Sequence, residues 1–566
     1  MITLLLALVA QQGIDSHIHR EYSAEPRYRY HIAYQYPEDI DPDLRQLIEK
    51  LLKKPDLSVK PSPTEINFQF AYEAALVNRT CSLLQAGDFY KAETLAADYL
   101  IPIENDSIPL PYGGDLRASM LYNHADAVYY TAYHSYGKLR SLPLLRISCD
   151  AFSEIPDRYP DTYAAVFAEL SYAWCLMELG DNHEAQDIFT DIFFSSSDTD
   201  ARILSAYGKA LTHYYVREWD SAYSWFADDK WFEKNLGIVT DSTRITDELT
   251  YSELASELID RLLTWKAHSA QAGKWYGNTL DIFIHITEAY PEREAAADAY
   301  FKIVYYYLLA WEIEKAEHAT TGLAERAQNY PEIYQASYLS ALEQMYFFYL
   351  WRPGDFEKAE KYAEEYYKES GDCEKLEELY YTQAIELRDT SDIDDLKGMI
   401  AGIKKYNPKS NYLIEPMTNL AYLQSLKKRW EEARQIALDL LNWHDPRAVQ
   451  DLTSEMSYLL GRACFETGDI AESLRVLEKW VNTYTRGDYA RIDLAPEAYW
   501  YLALSYYRQA ESQGPDSRIK CYTRCKEVLD ELTELMTGYT KPGFYKEKEA
   551  EINEIIRECE TRIKEH

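Results

Sequence analysis

The chain has 566 residues, enough for several domains or one long solenoid, and 94 acidic side chains against 59 Lys and Arg give a formal net charge of −35. That balance excludes nucleic acid as the main partner, because phosphate binding needs clustered Lys and Arg. Glycine and proline number 21 each, too few for extensive loops or a large sheet, whereas the 51 tyrosines exceed what helix packing asks for.

The first twelve residues, MITLLLALVAQQ, hold a short apolar run with no Lys or Arg before it. Residues 1–16 read either as a signal-peptide core or as an N-terminal apolar helix. The first alternative places the protein in the periplasm or outside the cell, the second in the cytoplasm, and export is favoured slightly. Asp15, His17 and His19 follow with the Asp-x-His-x-His spacing that opens metal-dependent amidohydrolases. That resemblance implies a zinc hydrolase on a (β/α)8 barrel, but only His31 and nine scattered histidines follow, without alternating strands. The match is therefore read as chance, and no catalytic residue, metal or cofactor is assigned. Residues 17–63 form an N-terminal arm or cap, with Tyr22, Tyr28, Tyr30, Tyr34 and Tyr36, a short helix and a Pro-marked linker.

Helix pairs take over in three blocks, residues 64–227, 251–388 and 412–514, joined by connecting segments at 228–250 and 389–411 that are rich in Gly, Pro, Ser, Thr and Asp. The clearest pair runs from Glu455 to Tyr484. Tyr458, Leu459, Leu460, Ala463 and Cys464 give the first helix an apolar stripe, Gly468-Asp469 stops it, and Ile470, Leu474, Leu477 and Trp480 face it from the second. Gly461 lets the two helices approach closely, and Ser473 sits five positions after the turn glycine.

This pattern resembles a tetratricopeptide repeat, a helix–turn–helix of about 34 residues that needs stacked neighbours to bury both stripes. The resemblance implies an all-α fold of antiparallel helix pairs stacked into a right-handed solenoid. Small residues at the same register recur at Ala92, Ala185, Ala222, Ala316, Ala359 and Ala433, several of them after a Gly-Asp turn. A second mark, Tyr-Pro-acid, occurs at Tyr36, Tyr159, Tyr290 and Tyr330 and predicts the junction between one repeat and the next, since proline suits a first helical turn. Residues 515–566 read as C-terminal capping helices.

No Gly-rich phosphate loop, nucleophile elbow or complete HExxH appears, and the eight cysteines show no metal or haem spacing. Cys521 and Cys525, four apart, read as packing. The leading function is a non-catalytic scaffold that binds a protein or peptide in a groove lined by the first helices. The resemblance places Trp174, Tyr207, Tyr214, Phe301, Tyr305, Phe348, Trp351, Tyr422, Tyr458, Phe465, Trp500 and Tyr507 in that groove. Glu415, Glu455 and Glu497 stand beside them, with Asp298, Glu178 and Glu466 nearby, so the groove is aromatic with acidic edges and favours a basic partner. Two alternatives are a surface-exposed glycan binder resembling the SusD-like proteins, which lacks the expected lipoprotein cysteine here, and the metal-dependent hydrolase. Membrane association enters only through export, and composition says nothing of oligomeric state.

Overall fold

The computed structural model describes residues 42–53, 66–103, 113–134, 141–352, 354–485, 491, 493–537 and 543–565. Asp15, His17, His19, the early tyrosines and the apolar start lie outside these residues. The chain divides into two units, Met1–Ser337 and Tyr338–His566.

The first unit carries α1 (Pro42–Leu52), α2 (Ile66–Gln85), α3 (Phe89–Ile103), α4 (Gly113–His134), α5 (Leu142–Arg158), α6 (Tyr163–Leu179) and α7 (Asn182–Ser195). It continues through α8 (Thr199–Tyr215), α9 (Trp219–Trp225), α10 (Asp229–Leu236), α11 (Glu253–Ala272), α12 (Tyr276–Ala289), α13 (Glu294–Leu309) and α14 (Ile313–Asn329). The division falls within α15 (Pro331–Trp351). The second unit holds α16 (Phe356–Ser370), α17 (Glu374–Glu386), α18 (Ile393–Tyr406), α19 (Ile414–Leu426), α20 (Trp430–Leu441), α21 (Thr453–Thr467), α22 (Ile470–Tyr484), α23 (Ala495–Ser512), α24 (Pro515–Thr537) and α25 (Gly543–Lys564). The fold is an all-α, tetratricopeptide-like stack of antiparallel helix pairs. Among the described residues the only sheet is a parallel pairing of Ile238–Val239 with Thr250–Tyr251.

One backbone device closes the pairs. A residue in the left-handed region ends the first helix, and the fourth residue of the second helix is small and fully buried. The left-handed residue is Gly87, Gly180, Gly354 or Gly468 in four turns, and Arg217, Lys274, Trp311 or Lys428 in four others. In seven of the eight, the next N–H donates to the carbonyl five residues back, as from Asp469 to Cys464 at 2.9 Å, which satisfies carbonyls the helix end would strand. Five positions after each left-handed residue stand Ala92, Ala185, Ala222, Thr279, Ala316, Ala359, Ala433 and Ser473, all at zero exposure. The register read from the sequence is therefore the packing register. Thr279 is a copy the sequence reading passed over, because both its turn residue and its small residue depart from Gly and Ala. Its hydroxyl donates to the Trp275 carbonyl at 3.1 Å, which makes the buried position tolerable. Ser473 behaves alike, donating to the Gly461 carbonyl and meeting the Ser505 hydroxyl, each at 2.9 Å.

First helices also touch one another from pair to pair. Contacts join α2, α4, α6, α8, α11 and α13 in series in the first unit, and link α17 to α19 and α21, α23 and α25 in the second. Within the first unit these first helices form a continuous row, and in the second unit they form two shorter rows. Tyr159, Tyr290 and Tyr330 cap the ends of α5, α12 and α14, so these three Tyr-Pro marks sit at repeat junctions; only Pro331 opens a helix, while Pro160 and Pro291 lie in the turn before one.

The two connecting segments are not simple loops. Residues 228–250 contain α10, which Asp228 caps through the Trp231 N–H at 2.9 Å, and the short parallel pairing. Residues 389–411 contain α18, a regular second helix, against the expectation of a break. Ile393, Leu396, Ile400 and Ile403 bury its inner stripe. Gly402, which reads as a helix breaker, is needed where it is, because a Cβ there would stand 2.8 Å from the Tyr380 ring. Close packing overrode propensity. At the C-terminus α24 packs on α23, and α25 packs on both α23 and α24.

Candidate functional site

The first-helix layer buries half of the twelve aromatic side chains assigned to a groove. Trp174 and Tyr207 fill the seam between α6 and α8 with ring centroids 5.6 Å apart, and Phe189 closes it 5.5 Å from Trp174. Phe348, Tyr458, Phe465 and Trp500 are also buried. Phe465 lies 3.8 Å beneath the Arg508 guanidinium and 5.4 Å from the Tyr501 ring. These six rings are packing rings, and in this conformation they offer no face to a ligand. The reason is geometric: a first helix flanked on both sides by others keeps only a narrow outward strip.

Tyr214, Phe301, Tyr305, Tyr422 and Tyr507 are half-buried, and Trp351 is 56% exposed. Among the acids, Glu415 and Glu466 are exposed, and Glu178, Asp298, Glu455 and Glu497 are half-buried.

The second unit joins the two predicted classes in a way the sequence reading kept apart. Tyr422 on α19 donates its hydroxyl to Glu455 on α21 at 3.0 Å, and Tyr458 on α21 donates to Glu497 on α23. The same step occurs before them, where Tyr346 on α15 donates to Glu378 on α17 at 3.3 Å and Tyr381 on α17 donates to Glu415 on α19 at 2.6 Å. It occurs after them too, where Tyr507 on α23 donates to Glu558 on α25 at 2.6 Å. Each first helix therefore hands a phenol to a carboxylate on the next, and a ladder runs the length of the unit. Part of the tyrosine excess is explained by this use.

Electrostatics follow from the pairing. The hydrogen bond to Glu415, then burial, pushes the Tyr381 hydroxyl up to about 12. Burial first, and the neighbouring carboxylate second, raise Tyr346, Tyr422 and Tyr458 further still. Two rungs are partly neutralised: Arg491 reaches Glu455 at 3.0 Å, and Arg462 reaches Glu497 at 3.1 Å. Glu415 makes no ion pair among the described residues and stays exposed. Tyr346, Tyr381, Glu378 and Glu558 were absent from the sequence-derived set. For four of the five rungs the available signal was a Tyr followed 32 to 39 residues later by Glu, whereas Tyr507 and Glu558 stand 51 apart.

Among the described residues no three His, Cys, Asp or Glu side chains gather in a way that could hold a metal ion, and no helix is long and apolar enough to cross a membrane. No family model and no curated protein matches the sequence. Among solved structures the chain matches the crystal structure of the APC/C hetero-tetramer Cut9-Hcn1, at 11% identity over 82% of this chain and 96% of that one, with a TM-score of 0.23. A score that low supports no inference about partners, so the architecture rests on the helices and turns themselves.

Proposed function

We propose that this chain is a non-catalytic helical-repeat scaffold that binds a basic segment of a protein or peptide partner along the first-helix face of its second unit. The observation that carries this reading is the tyrosine–carboxylate ladder. It holds Glu415, Glu455 and Glu497 at successive helices and fixes one oxygen of each by a phenol. A carboxylate accepts through both oxygens, so a rung whose second oxygen is unspent can take a Lys or Arg from outside. Tyr422 and Trp351 add partly accessible aromatic surface in the same unit. The chain's formal charge of −35 raises the encounter rate with a cationic segment and repels an anionic one.

The test uses labelled peptides of equal length, one rich in Lys and Arg and one rich in Glu, titrated by fluorescence anisotropy. Binding should be confined to the basic peptide, weaken as salt rises, and fall by about tenfold when Glu415→Gln and Glu497→Gln are combined. Because any strongly acidic protein attracts polycations loosely, the variant decides. Equal binding by parent and double variant would place the partner elsewhere.

A further inference from the structure

A second place on the molecule, at the turn edge of the first unit, brings two indole rings to one cleft. The turns joining α8 to α9 and α11 to α12 border an open space of about 450 Å3, with Arg217, Trp219, Asp220, Gly273 and Trp275 among its lining residues. That volume is within the range of small-molecule sites, about 300–1,000 Å3.

Both rings are held in place. Trp219 is half-buried with the Tyr214 ring 5.1 Å away. Trp275 stands 5.7 Å from Tyr223 and lies back over Gly273, where a Cβ would come within 3.0 Å of the indole. Around them are polar groups with nothing to do inside the protein. The side chains of Arg217, Asp220 and Ser221 make no hydrogen bond or ion pair among the described residues, whereas Glu218 is engaged by His213 at 2.7 Å.

Arg217 and Lys274, the left-handed residues of the two turns that flank the cleft, have φ of 66° and 65°, a conformation that Trp311 and Lys428 share in two other turns and that Gly87, Gly180, Gly354 and Gly468 adopt in the remaining four. At the first of these turns it places a guanidinium at the cleft.

The ligand chemistry follows from the lining. Beside Arg217 stand Asp220 and the His213-bonded Glu218, so the cleft carries both signs of charge rather than one. Flat apolar faces beside unspent donors and acceptors fit a neutral polyhydroxylated ring, whose C–H face rests on indole while its hydroxyls meet Arg217, Asp220 and Ser221. Tyr276, 55% exposed, and Trp311, 58% exposed, continue the aromatic line along the same turn edge. Adjacent helices place such turns about 8–10 Å apart, a step that a linear chain of linked sugar rings can follow. We propose that the cleft between Trp219 and Trp275 binds a neutral oligosaccharide. This is a different ligand at a different place from the peptide reading above.

The intact protein would be titrated by calorimetry and tryptophan fluorescence against maltohexaose, cellohexaose, xylohexaose, mannohexaose and chitohexaose. At least one should bind and shift the indole emission. Trp275→Ala should weaken that binding by about tenfold or more, which corresponds to about 1.4 kcal/mol. Arg217→Gly should weaken it too while raising the thermal midpoint, since glycine relieves the left-handed backbone. Glu415→Gln should leave it unchanged, which separates this outcome from the fate of the peptide reading. The proposal is overturned if no sugar binds, if Trp275→Ala and Arg217→Gly bind like the parent, or if a proline-rich peptide occupies the cleft and no sugar competes with it.

Discussion

One substitution, made at two glycines, tests the packing argument because its sign should differ between them. Gly461 on α21 faces α22, and a Cβ there would lie 2.5 Å from Leu477 Cδ2, 2.6 Å from Leu477 Cγ and 3.4 Å from Val476 Cγ1. Leu477 is fully buried in a cluster with Trp480 and Tyr458 and has no room to retreat. Gly398, inside α18, has nothing within 4 Å of the same added atom and is exposed. Alanine gains about 1 kcal/mol over glycine in a helix interior at either place. At Gly461 an overpacking cost of about 1–3 kcal/mol opposes that gain. Gly398→Ala should therefore stabilise by about 1 kcal/mol, and Gly461→Ala should destabilise by about 1 kcal/mol, reaching about 2 if the pair cannot shift. Urea unfolding followed by circular dichroism reads the total. Amide exchange across α21 and α22 reads the local opening, which matters because repeat stacks need not unfold in one step. If Gly461→Ala is as stable as the parent, the close approach of the two helices is not what holds glycine there.

Three further outcomes follow. Lys428 is exposed with φ of 57°, so Lys428→Gly should raise stability by about 0.5–1 kcal/mol, the relief of the left-handed residue less the added freedom of the unfolded chain; an unchanged urea midpoint would contradict this. A double-mutant cycle on Tyr422→Phe and Glu455→Gln should return a coupling of about 1 kcal/mol, moderated because Arg491 still holds the carboxylate; additive effects would mean the rung is incidental. The ladder tyrosines have folded-state pKa values above the unfolded value, so the unfolded chain loses its phenolic protons first as pH rises. Stability should be intact below about pH 10 and decline from there through the folded values, Tyr381 giving way near 12. Absorbance of ionised tyrosine should then rise together with unfolding, and full phenol ionisation in a still-folded protein would defeat the assignment.

Helix pairing, turn positions and the buried small residue were legible because they depend on local chemistry. A left-handed residue five places before a small one recurs wherever two helices must turn tightly and then touch, and Ala92, Ala185, Ala222, Ala316, Ala359, Ala433 and Ser473 could be picked out on that basis. Thr279 and α18 escaped for the complementary reason. A buried hydroxyl bonded to Trp275, and a glycine required by the Tyr380 ring, make sense only once the neighbour is known. The same limit governed the groove. Residue type and helical phase marked Trp174, Tyr207, Tyr458 and Trp500 as lying on first helices, but exposure depends on how closely the next first helix approaches, a distance the sequence does not contain. The stacking buried those rings, joined Tyr422 to Glu455 and Tyr458 to Glu497, and set two turns side by side so that Trp219 and Trp275 face one cleft. Local turns are encoded within a few residues, whereas partnerships between helices more than thirty residues apart are decided by packing.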